Sequence, residues 1–95
     1  MGLVDKLLRR KKPDPTERRR FLLATGRITD GVIIDRGINE AGEDIAIYSY
    51  TLNGVDFESA DVLTEEQRAD PIKYAPGARV GIRYEQKNQG NSVVE

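Results

Sequence analysis

The sequence predicts a small, mostly β domain: a barrel of about five strands with short helical turns and a helical segment at its N-terminal end. Three observations carry this. The chain has 95 residues, room for one modest core and no enzyme-sized internal cleft. Asn53-Gly54, set between two alternating runs, is the pair that most favours a two-residue hairpin turn, because both residues accept positive φ. Further on, Val80, Ile82 and Tyr84 alternate with Arg79, Gly81 and Arg83, the period of a half-buried strand.

Residues 1–15 read as a basic amphipathic tail and linker, and residues 16–95 as the barrel domain. In the tail, Leu3, Val4, Leu7 and Leu8 share one helical face, with Lys6, Arg9, Arg10, Lys11 and Lys12 around and after it. Pro13 and Pro15 stop that helix, since each removes an amide donor. Thr16 is placed to cap a second short helix, with Glu17 in its first turn and Gly26 where a left-handed residue would end it. The alternative is that Phe21 to Ala24 already run extended into the first strand. That strand carries Ile28, Val32, Ile33 and Ile34, with Gly31 the expected site of a bulge, and the polar stretch 37–44 loops to the next strand.

The Asn-Gly turn fixes a register. Leu52 faces Val55, Tyr50 faces Phe57 and Tyr48 faces Ser59 on one side; Thr51 with Asp56 and Ser49 with Glu58 lie on the other. Simple alternation buries the aromatic side. Nearer the base the polarity reverses, because Ile45, Ile47, Ala60 and Val62 fall on the face opposite the rings. Either a bulge shifts the register there, or the ribbon is covered on both sides as it bends across a barrel.

Thr64 and Gln67 have capping-box spacing, so Glu65 to Ala69 should make one helical turn that Pro71 ends. Pro76-Gly77 reads as a tight turn into the alternating strand, residues 88–91 turn the chain again, and Ser92 to Glu95 close the fold as a short strand.

Composition excludes whole classes of chemistry. The chain has no cysteine, hence no disulfide or thiolate metal site, and no histidine, hence none of the usual triads or imidazole ligands. The expectation is a non-enzymatic protein without metal or cofactor. No apolar run approaches the roughly 20 residues that cross a bilayer, and the start lacks a secretory signal, so a cytoplasmic location is expected. Charge is split: residues 1–20 hold eight basic and three acidic side chains (+5), and the remainder seven and thirteen (−6).

The ordered signals in residues 22–34, 50–57 and 76–94 resemble those of a widespread bacterial family of unknown function with small OB- or SH3-like β-barrel domains, often joined to membrane helices. The resemblance spans about residues 22–94. It implies the barrel fold and an association with membranes, and it supplies no catalytic residue. Tyr84 and Glu85 match the start of the family's last motif, whereas Gln86 and Gly90 stand where prolines are usual.

Two surfaces are candidates for contact. The tail, through Leu3, Val4, Leu7, Leu8, Arg9, Arg10, Lys11 and Lys12, would seat an apolar stripe in the interface of the inner membrane while its cations meet anionic lipid; it would equally serve as a solubilising extension or a helix docked on the barrel. Tyr48, Arg79 and Arg83 form a second candidate ligand surface, with Arg27, Arg36 or Lys73 as further cations. The rings at Tyr48, Tyr50 and Phe57 would suit an OB-type single-strand binder, but the net −6 of the body disfavours nucleic acid and leaves a protein as the expected partner. Asp56 and Glu58 lack the third ligand a cation site needs.

Overall fold

Five antiparallel strands wrap into a nearly closed barrel in the computed structural model of the chain, which describes residues 15–95. The tail residues of the first candidate surface lie outside the described residues. Helix α1 (Pro15–Thr25) leads into strand β1 (Arg27–Ile38), followed by β2 (Asp44–Leu52), β3 (Val55–Val62), a single helical turn α2 (Glu65–Arg68), β4 (Arg79–Glu85) and β5 (Asn88–Val94). The hydrogen-bonded order is β3-β2-β1-β4-β5. The long strand β1 therefore pairs on both sides, with β2 and with β4. This order, with β3 and β5 meeting at the seam, is compatible with an OB- or SH3-like barrel.

The hairpin register is the one the turn dictates. Asn53 and Gly54 take φ of 52° and 79°, and Leu52↔Val55, Tyr50↔Phe57 and Tyr48↔Ser59 pair as alternation requires. Inside, Tyr50 stacks against Tyr48, Phe57 and Tyr84 at centroid distances of 6.0, 5.2 and 6.4 Å. Ile33, Leu63, Val80, Ile82 and Val94 complete the same core.

Helix formation wins over extension at residues 15–25, with Pro15 at the first helical position, where its missing N–H costs nothing. Thr16 lies inside the helix instead of capping it. Gly26 does not take the left-handed conformation expected of it. It is needed for space: a Cβ there would stand 2.5 Å from the Leu22 carbonyl oxygen and 3.1 Å from that of Tyr84. The helix lies on β4 and β5, and Leu22 on the helix and the outward-facing Val93 on β5 are both fully buried.

Two further expectations change. The bulge in β1 falls at Ile34, between Ile33 and Asp35, and not at Gly31. Gly31 stays in register with both Tyr50 and Val80, and a Cβ there would stand 2.8 Å from the Ser49 carbonyl oxygen, so the glycine admits close packing where β1 is shared by two neighbours. The last turn comes earlier than residues 88–91: Gln86 and Lys87 form it, since Glu85 pairs with Asn88, and Gln89 to Asn91 then bulge before Ser92 rejoins Tyr84. The Thr64–Gln67 capping box and the turn at Pro76-Gly77 form as read, the latter with Gly77 at φ 90°.

Candidate interaction surface

The seam of the barrel decides which surfaces remain open. β3 and β5 share no ladder, so the edge of β5 is satisfied by side chains. Asp61, buried on β3, accepts from the Val94 amide at 3.1 Å. The Val94 carbonyl accepts from Arg19 at 2.7 Å and from Gln67 at 3.0 Å, and the Ser92 carbonyl accepts from Arg18 at 3.0 Å. Both guanidiniums also face Asp61, at 3.8 Å from Arg18 and 3.6 Å from Arg19. Burial pushes the Asp61 carboxyl above its ordinary range, against the opposing pull of the Val94 amide and the two arginines. Deeper still, Tyr48 and Ser92 share a hydroxyl hydrogen bond of 2.7 Å, and burial raises the Tyr48 phenol.

The three residues of the second candidate ligand surface are not brought together. Tyr48 is at 0% exposure, so it is a core residue and offers no face to a ligand. Arg83 is half-buried and engaged, donating to Glu95 at 2.8 Å and to the Gly26 carbonyl at 3.3 Å. Arg79 alone is exposed, beside Val32 on β1. Arg36 turns toward the Tyr74 carbonyl, and Lys73 stands over the Tyr74 ring at 5.4 Å. Asp56 accepts from Thr51 across the hairpin, and no group of three or more acidic side chains among the described residues is disposed to hold a metal ion. Tyr48 and Tyr50 offer no stacking face, because both rings are closed in the core, and the Tyr50 hydroxyl donates to the Gln89 carbonyl.

What the barrel does present is an apolar outer face. No bulge shifts β3 against β2, and the base of the ribbon is not covered on both sides by any described residue. Ile45↔Val62 and Ile47↔Ala60 are cross-strand pairs pointing away from the core. The β1 bulge adds Ile34 beside them, because the extra residue leaves Ile34 and Asp35 both on the outside. Val62 is 36% exposed and Ile34 45%, Ala60 is exposed, and Ile45 and Ile47 are half-buried between their neighbours. Carboxylates rim the patch: Asp35 on β1, Glu58 on β3, and Glu43 in the loop before β2. None of the tyrosines contributes. Alternation in the sequence already places Ile45, Ile47, Ala60 and Val62 on this face; the bulge that adds Ile34 depends on pairing with a strand some fifteen residues away, and only the fold reveals it.

A scan against protein-family models finds no match, and searches among curated proteins and solved structures return no significant similarity. The small five-stranded barrel therefore stands on its own geometry. No helix among the described residues is long and apolar enough to cross a membrane.

Proposed function

We propose that this protein is a non-enzymatic interaction module, in which the apolar outer face of β1, β2 and β3 receives a protein partner and the basic N-terminal tail brings the barrel to the anionic inner face of the cytoplasmic membrane. The observation that carries the reading is the inverted base of the hairpin. Five aliphatic side chains, Ile34, Ile45, Ile47, Ala60 and Val62, face outward on a domain whose core is built from other residues. A contiguous aliphatic face rimmed by charge is the surface that protein contacts use. The membrane part rests on the tail's +3 over residues 1–14 (five basic, two acidic) and on its apolar stripe.

The partner face is tested by comparing proteins retained by the full chain with those retained by its Ile47→Asp/Val62→Asp variant. A partner held by the first and lost by the second supports the proposal, and identical retention overturns it. The membrane part is tested separately, by co-sedimentation with anionic and with uncharged vesicles. Binding confined to anionic vesicles and lost in a Leu7→Asp/Leu8→Asp chain is the expected result; equal binding by both chains, or none by either, ends that part. Fluorescence anisotropy with short single-stranded DNA and RNA at low salt should show no binding, since the electrostatic attraction is then strongest.

A further inference from the structure

We infer that residues 3–12 of this same chain cover the apolar outer face, an intramolecular occupant that a partner or a lipid surface has to displace. The inference rests on the same face as the proposed function but requires no partner. Three observations point to it.

The first is where the described chain begins. Thr16, at the start of α1, lines a groove with Glu43, Ala60, Val62 and Thr64, so the segment before it enters the fold at the β3 border of the apolar face. The second is reach. From that border, β2 lies one strand spacing away and β1 two, about 5 and 10 Å. The three peptide units from residue 12 to Pro15 span up to roughly 10 Å when extended, and ten residues in a helix span about 15 Å. A helix over residues 3–12 therefore fits across Val62, Ile45 or Ile47, and Ile34 without strain on the linker.

The third is complementarity. Leu3, Val4, Leu7 and Leu8 make an aliphatic stripe of the kind that the outward isoleucines and valine can receive. Lys6, Arg9, Arg10, Lys11 and Lys12 would then stand over a rim made of Asp35, Glu43 and Glu58. The same split that gives the tail a positive charge gives the body its negative one. One apolar stripe cannot lie on the barrel and in a bilayer at once, so the two occupancies exclude each other.

The absence of cysteine provides a clean test. A nitroxide attached to a Gly2→Cys full-length chain should selectively broaden the amide signals of the apolar outer face, Ile34 most strongly and Ile45, Ile47, Ala60 and Val62 with it. The broadening should disappear with Leu7→Asp/Leu8→Asp in the same labelled chain, while the remaining amide positions stay where they are, and should weaken as salt is raised. Ile47→Asp/Val62→Asp, placed on the barrel side, should release it equally. Broadening that is absent, spread evenly over the barrel or indifferent to these substitutions overturns the inference. So does broadening that persists when the spin label and the observed amides are on different molecules, which would make the occupant a second copy. The readout contains no partner and no lipid, so its failure leaves the interaction reading to its own experiments.

Discussion

The tip and the base of the β2–β3 hairpin follow one register and opposite polarities. At the tip the rings of Tyr50 and Phe57 face in, while Thr51 and Asp56 face out and hydrogen-bond each other at 2.7 Å. At the base an acid, Asp61, faces in and aliphatics, Ile45, Ile47, Ala60 and Val62, face out. A strand has only its two faces, so an inversion halfway along it needs a separate cause on each side. On the inner side the cause is visible: Asp61 is required where β3 meets β5 without a ladder. On the outer side the aliphatics have no described partner, and the cover and contact proposals both follow from that asymmetry.

The largest expected effect breaks the tip's side of this contrast. Tyr48→Ala removes a fully buried ring and the hydroxyl that meets Ser92, and should cost about 3–5 kcal/mol in a denaturant titration. A loss under about 1 kcal/mol would mean that the stacked rings contribute little to the core. Next comes the inward acid of the base. Asp61→Ala leaves the Val94 amide and two arginines without their carboxylate, and should cost about 1–3 kcal/mol near neutral pH.

The same residue also has a pH signature of defined sign. Its folded value is raised, so the folded state holds the proton longer than the unfolded one. The contribution from that protonation is full below the unfolded carboxylate value of about 4 and is lost as pH rises through the folded value. Stability of the native chain relative to Asp61→Asn should therefore fall as pH rises from the acid side, and a relative rise would reverse the assignment. The smallest effect is on the outer face. Ile47→Ser should change stability by only about 0.5 kcal/mol, because the side chain is half-exposed, while weakening whatever covers it.

Legibility divided along the same line. The hairpin register could be written down from Asn53-Gly54 alone, since turn geometry and alternation are local, and Val80, Ile82 and Tyr84 declare their inward side for the same reason. The bulge at Ile34 could not, because it reflects how β1 meets two partner strands distant in sequence. Nor could the approach of the Tyr84 carbonyl to Gly26, which adds to the local constraint from the Leu22 carbonyl. Of the surface, the four outward aliphatics of the hairpin were legible, whereas the grouping of Tyr48 with Arg79 and Arg83 failed. Alternation had already put Tyr48 on the side of the core rings, and the fold buries it fully; Arg83 is held by Glu95 from the chain's far end.

The joint between β3 and β5 has one more implication. Two strands zipped by repeating backbone bonds can slide by two residues and find nearly equivalent bonds again. A joint made of unlike partners, with Asp61 on the Val94 amide, Gln67 and Arg19 on its carbonyl and Tyr48 on Ser92, has no second position in which every group is matched. The cylinder thus closes in a single setting, and the helix laid over it shields the exposed backbone of β5 from strands of other molecules.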